Sequence, residues 1–196
     1  MSYITWTRHA DGGVAVDAIL DAAGRAFERH GVGAATMIDI AAEAGCSRAT
    51  LYRYFPNRDA VREAFVHRGT LQMAAAMARR RDDATDSAAD RVLAGIAAVR
   101  ANPSLAVWFE PENIAVPLQV SQSSEFLHAL AVALLDGPER PSADAESLQL
   151  RGEWLLRSII SLLAMPSADV ESERAMVNDV LIPALRGTLG PLTADG

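Results

Sequence analysis

The chain has 196 residues, half of them apolar and 22% charged, a globular composition that excludes a disordered or fibrous protein. Its net charge of −7 speaks against a nucleic-acid binder taken as a whole, but residues 1–81 hold 11 Arg and 8 acids (+3) whereas residues 82–196 hold 7 Arg and 17 acids (−10). A single cysteine, Cys46, excludes an intrachain disulfide, and no stretch approaches a secretory signal or the roughly 20 apolar residues of a membrane helix, so a soluble, cytoplasmic protein without a membrane partner is expected.

Alternating β-branched runs are absent and helical spacing dominates. Val16, Ile19, Leu20, Ala23 and Phe27 form one apolar stripe, predicting a helix over about 14–30 that stops at Gly31 and Gly33. Thr36 followed by Asp39 has the spacing of a capping box and opens a second helix over 36–44, ended by Gly45. Ser47 caps a third over 47–55, which Pro56 terminates. Asn57, with Asp59 in the first turn, starts a fourth helix reaching toward Arg81. A polar turn at 82–86 precedes a helix over 87–101. Pro103, Pro111 and Pro117 then leave only short helical pieces over 102–120. Helices over 122–135, 143–164 and 171–189 follow, with a loop at 138–142 and Pro183 kinking the last. The expected fold is all-α with about nine helices: a three-helix unit over 1–60, joined by a long helix to a helical domain over 61–196.

Residues 36–58, TMIDIAAEAGCSRATLYRYFPNR, carry the function. Two short helices flanking a turn with Gly45 have the plan of a helix-turn-helix, and Ala41, Ala42 and Ala44 are small enough for close approach. On the third helix Leu51 points to the core, while Arg48, Ala49 and Tyr52 share the opposite face. A forked cation, a methyl and an aromatic hydroxyl suit guanine or phosphate, a thymine methyl and phosphate respectively. Tyr54 and Arg58 flank that face, and helix starts at Thr36 and Asn57 add amide donors. Arg53 is expected to face solvent or a phosphate.

This segment resembles the tetracycline-repressor (TetR) family of bacterial regulators over roughly residues 14–65. Phe27-Glu28-Arg29-His30-Gly31, Thr36, Ile40-Ala41-Ala42-Glu43-Ala44-Gly45 and Ser47-Arg48-Ala49-Thr50-Leu51-Tyr52-Arg53-Tyr54-Phe55-Pro56-Asn57-Arg58 carry the resemblance, with Cys46 in place of a common Val and Arg58 in place of a common Lys. It implies DNA contacts at Thr36, Met37, Ser47, Arg48, Ala49, Tyr52, Tyr54 and Arg58, with Ala42, Leu51 and Phe55 as scaffold. It also implies a homodimer on a palindromic double-stranded operator, repression as the default mode, and an unidentified small-molecule effector.

One recognition helix is too small to select a genomic site, so a two-fold pair is required. The last two helices supply the surface: Leu148, Leu155, Ile159 and Leu162 form one stripe, Trp154 and Ile160 suggest a second face, and Val177, Val180, Leu181, Ala184 and Leu185 stripe the final helix. Met73, Met77, Trp108, Phe109, Phe126, Leu130 and Trp154 are the candidate lining of an adaptable, mostly apolar effector pocket. His128, Glu110, Glu112 or Arg157 are candidates to orient a polar group of that effector. The four histidines (His9, His30, His67, His128) are scattered, and no metal-protease, nucleophile-elbow or phosphate-loop motif appears, so neither an enzyme, a metal nor a cofactor is expected. The alternatives are an activator, a redox-responsive regulator using Cys46, or a helical interaction protein that ignores DNA. An N-terminal arm with Trp6 and Arg8 is placed to reach a minor groove or to stay disordered.

Overall fold

The computed structural model describes residues 12–79, 87–135 and 145–186, and every regular element in them is helical. The arm with Trp6 and Arg8, the polar turn at 82–86, the loop at 138–142 and the end expected for the last helix at 187–189 lie outside the described residues. Two compact units emerge: Met1–Gln72 with Ala101–Gln122, and Met73–Arg100 with Ser123–Gly196.

In the first unit, α1 (Gly12–His30) buries Ile19, Leu20, Ala23, Ala26 and Phe27 on one face, as its stripe predicts. Helices α2 (Met37–Ala44) and α3 (Arg48–Tyr54) follow, then α4 (Arg58–Arg79). The compact units do not part at residue 60. Val61 and Phe65 of α4 are buried, and the Phe65 ring meets Phe27 edge-on at 5.3 Å. Segment Ala101–Gln122 joins the same unit through α6 (Pro103–Ala106), a 3-10 turn (Val107–Phe109) and the start of α7 (Ala115–Ser123). Trp108, 2% exposed, stacks on Phe65 at 5.8 Å and meets Phe27 edge-on at 5.5 Å. Full burial of each such ring removes a large apolar area from water and contributes on the order of 2–3 kcal/mol. Pro117 sits in the first turn of α7, where its missing N–H breaks no helical bond.

The second unit is built from α5 (Ala88–Arg100), α8 (Glu125–Leu135), α9 (Ala145–Ala164), and α10 (Val170–Ala175), which continues through a π-helical stretch (Met176–Leu181) into α11 (Ile182–Arg186). Val92, Ile96, Ala131, Leu155, Leu162, Val177, Leu181 and Leu185 form its core. Helix α8 runs tightly along α9 at Gly152, where an added Cβ would lie 2.6 Å from Val132 Cγ2 and 3.2 Å from the Val132 backbone nitrogen. Arg100 donates both Nη atoms to the carboxylate of buried Glu173 (2.8 and 2.7 Å) and one to the Leu162 carbonyl, tying α5, α9 and α10 together. Pro183 was expected to kink the last helix. The helix widens just before Pro183, and Ile182 N–H donates five residues back to the Val177 carbonyl.

Candidate nucleic-acid interface

Each turn of the 36–58 segment is fixed by its own side chains. The Thr36 hydroxyl accepts from the Asp39 amide (3.3 Å), and the Asp39 carboxylate accepts from the Thr36 amide (2.8 Å) and hydroxyl (2.6 Å), completing the capping box. These bonds from Thr36 hold the Asp39 carboxyl below its ordinary pKa. Gly45 takes φ +64°, the left-handed conformation that ends α2, and Cys46 N–H returns to the Ala41 carbonyl at 3.0 Å. Ser47 caps α3 by accepting from Thr50 N–H (3.1 Å), and Asn57 caps α4 by accepting from Ala60 N–H (2.8 Å). Glu43, largely buried, pairs with Arg25 and Arg29 and clips α2 to α1.

With the turns set, one side of α3 faces in and the other out. Leu51 is fully buried and Phe55 nearly so. Ser47, Arg48, Ala49 and Arg53 are exposed, and Tyr52 is 44% exposed despite its large apolar ring. From Gly45 to Asn57 the chain carries Arg48 and Arg53 and no acid. The outward face therefore presents cations, a hydroxyl, a methyl and an aromatic edge on a rigid helix, which is the chemistry that grips phosphates and reads base edges. Tyr54 is half-buried, with the Arg53 guanidinium 5.1 Å over its ring.

Three expected residues sit elsewhere than the sequence implied. Met37 is only 8% exposed: it belongs to the inward stripe Met37, Ile40, Ala41, so it packs rather than reaches out. Its neighbour Ile38, 56% exposed, takes the outward position that the sequence reading missed. Arg58 donates to the carbonyls of Gly33 (2.9 Å) and Ala35 (3.4 Å), so its guanidinium holds the loop before α2. Ala42, expected as scaffold, is exposed, while Ala41 provides the close contact. Cys46 is half-buried, and burial pushes its thiol pKa up, which disfavours the reactive thiolate that a redox switch requires.

The other two candidate sets divide. Of the pocket residues, Trp108 and Phe109 belong to the first unit, and Met73, Met77, Phe126, Leu130 and Trp154 to the second. Trp108 is closed in the core between Phe27 and Phe65, with no lining surface left. Met73, Phe126 and Leu130 are half-buried, and the Met77 side chain lies outside the described residues. Of the interface residues, Leu155, Leu162, Val177 and Leu181 are core, Leu148, Ile159 and Ala184 are half-buried, and Val180 is exposed. Among the described residues, the outward large apolar side chains on α9 and beyond are Leu150, Trp154 (46% exposed), Met165, Val170, Met176 and Val180. Ile160, assigned to the face of Trp154, points inward. Among the described residues no single helix is long and apolar enough to cross a membrane.

Residues 19–65 match the family described as bacterial regulatory proteins, tetR family. Uncharacterized HTH-type transcriptional regulators from two strains of Mycobacterium tuberculosis are each 39% identical over 176 residues, covering 87% of this chain and 85% of theirs. Solved structures share the fold at low identity. The TetR family repressor AlkX from a Dietzia species, implicated in biodegradation of n-alkanes, has a TM-score of 0.58 at 19% identity, over 96% of this chain and 100% of that one. The fatty acid degradation regulator FadR from Bacillus halodurans has a TM-score of 0.57 at 18% identity, over 95% and 99%. The capped helix pair, the cationic outward face of α3 and the kinship over most of the chain agree, and the protein belongs to the tetR family of DNA-binding, helix-turn-helix transcriptional regulators.

Proposed function

We propose that the chain is a repressor that grips a palindromic operator as a homodimer and releases it on binding a small, mostly apolar effector. The observation that carries the DNA contacts is the outward face of α3: Ser47, Arg48, Ala49 and Tyr52, with Thr36 and Ile38 at the head of α2 and Tyr54 and Arg53 beside them. Arg48 is assigned a guanine edge or phosphate, Ala49 and Ile38 apolar contact with thymine methyls or sugar, Tyr52 and Ser47 phosphate oxygens, and Thr36, whose hydroxyl and amide both donate to Asp39, contact through its methyl.

Pairing of two protomers is supported by Leu150, Trp154, Met165, Met176 and Val180, large apolar side chains that a lone protomer leaves in water. We assign them to the dimer surface in place of the buried residues the periodicity favoured. The half-buried Met73, Phe126 and Leu130 of the second unit are assigned to the effector. The apolar character is inferred from these residue types, and the association of the two structural neighbours with fatty acid degradation and n-alkane biodegradation favours alkyl or acyl chains.

Selection of duplexes from a random pool by the full-length protein tests this reading. It expects enrichment of a two-fold symmetric site with half-sites about one helical turn apart, bound with an affinity that falls steeply with salt. An asymmetric single half-site, or no enrichment, would overturn it. Release of that duplex by fatty acids or alkanes, but not by polar metabolites of similar size, is the expected effector response.

A further inference from the structure

The loop Gly31–Ala35, which delivers the chain to Thr36 and so sets where α2 begins, is held almost entirely from outside itself. Arg62, 4% exposed, donates to the Val32 and Gly33 carbonyls, and Arg58 donates to those of Gly33 and Ala35. Both come from α4. The Gly33 N–H donates to the Oδ1 of Asn113 at 3.1 Å. Asn113, 5% exposed, lies just before α7, and its Nδ2 donates to the Val107 carbonyl at 3.0 Å, one residue before the core ring of Trp108. Its backbone completes the turn, receiving at its own carbonyl from Val116 and donating from its amide to Glu110, both at 2.9 Å.

The contact is built for that side chain. Gly31 adopts φ +79°, and a Cβ there would stand 3.1 Å from Asn113 Oδ1. Only glycine satisfies both the left-handed backbone and the approach of the amide. A carboxamide is also the one short side chain that accepts at one end and donates at the other in a fixed plane. Asp would set a carboxylate oxygen against the Val107 carbonyl, and Leu would leave the Gly33 amide and that carbonyl without their bonds.

We infer that Asn113 is a positioning residue for DNA binding: it fastens the loop that places the Thr36 end of α2 to the Val107–Val116 segment, more than 70 residues on in the chain. The DNA face therefore depends on the conformation of that segment, although Asn113 itself does not touch DNA. Any displacement of the 107–116 segment is passed to Gly33 through one planar amide. This holds whether the protein represses or activates and whatever its effector.

The test compares Asn113→Ala with Asn102→Ala in the full-length protein, on the duplex the parent enriches, well below both melting temperatures. Asn102 caps α6 in the same stretch of chain, accepting from Ser104 N–H at 3.1 Å, and so controls for a loss of stability without a loss of the loop contact. A merely structural Asn113 would lower the melting temperature and leave the affinity of the folded protein unchanged. The expected result is a loss of about tenfold or more in duplex affinity for Asn113→Ala and less than about twofold for Asn102→Ala, at equal helicity. Equal affinities for parent and Asn113→Ala, or equal losses in the two variants, would overturn the inference. Amide exchange in the unmutated protein provides a second reading that needs no variant. Gly33 N–H is expected to be protected and to gain protection together with Val116 N–H when the duplex is added. Exchange of Gly33 at free-peptide rate, or no response to the duplex, overturns it equally.

Discussion

The two units are held together by different chemistry. In the first, side chains reach backbone atoms at nearly every turn: Thr36 with Asp39, Ser47, Asn57, Arg58 and Arg62 on the loop carbonyls, Asn113 on Gly33. The second has caps of its own at Ser87 and Asp169, but between its helices apolar side chains lie against one another, tightly at Gly152, with Arg100 clasping the buried Glu173. The difference suits what each surface is proposed to meet. Polar caps fix the helices in one orientation, which a rigid reader of a polyanion needs. Packed helices with Leu150 and Trp154 left outward suit a partner that brings an apolar surface of its own.

The sharpest break in that comparison is at Trp154. Trp154→Glu places a charge in the proposed dimer surface while leaving the protomer core untouched, since the ring is half in water already. The expected outcome is a monomer by sedimentation with unchanged helicity, and a loss of at least about a hundredfold in operator affinity, because the second half-site is no longer tethered to the first. A variant that still sediments as a dimer would place the interface elsewhere.

Next in size are adjacent residues of opposite fate, Met37 and Ile38. Met37→Ala opens a cavity beside Ile40 and Ala41 and is expected to cost about 2–3 kcal/mol of stability, with little change in duplex affinity once folded. Ile38→Ala is expected to leave the melting temperature nearly unchanged and to weaken duplex binding several-fold. Tyr52→Ala and Arg48→Ala on α3 should weaken it more, by about 1–3 kcal/mol each. Thermal melts and titrations on the same four proteins separate the two roles, and a reversed pattern for Met37 and Ile38 would invert the assignment of the α2 faces.

Gly152 probes the other unit. An Ala there gains helix propensity of about 1 kcal/mol, but its Cβ meets a side chain at 2.6 Å and a backbone nitrogen at 3.2 Å, and backbone cannot rotate away. The net expectation is a loss of about 1–2 kcal/mol, partly recovered when Val132→Ala is added. Additive losses would show that the side-chain contact is not what limits the approach of α8 to α9.

The helix-turn-helix was legible because its signals are local: a hydroxyl or amide at each cap, a glycine at the left-handed turn and a buried aliphatic anchor in each short helix, Ile40 and Leu51. Its α2 phase was legible too, since Met37, Ile40 and Ala41 repeat at helical spacing, but the resemblance pulled Met37 outward against that spacing. Helix α9 carries apolar residues on two faces, and periodicity cannot say which of Leu155 or Trp154 meets the core; only the packing of α5, α8 and the last helix decides. Asn113 was illegible for a different reason. Its partners Gly33 and Val107 lie 80 and 6 residues away, and a lone Asn in a proline-rich stretch has no periodic signature.

The smallest effect expected concerns the cap itself and its dependence on pH. The Thr36 hydroxyl, then its amide, bond the ionised Asp39 carboxylate and depress its pKa below the ordinary 3.8. A depressed carboxyl stabilises the fold fully above the unfolded value, and the contribution is lost as pH falls from 3.8 through the lower folded value. Asp39→Asn lacks the contribution at every pH, so the parent should exceed it in stability by a constant margin from neutral pH down to about 5, and the margin should shrink below 3.8. Asp90 and Asp169 cap their own helices with similarly depressed carboxyls, but they titrate alike in both proteins and cancel from the difference. Denaturant titrations at several pH values between neutral and 3 read the margin directly. A margin that persists undiminished below the depressed value would mean that Asp39 acts by shape rather than by charge, and that the amide of Asn cannot close the same box.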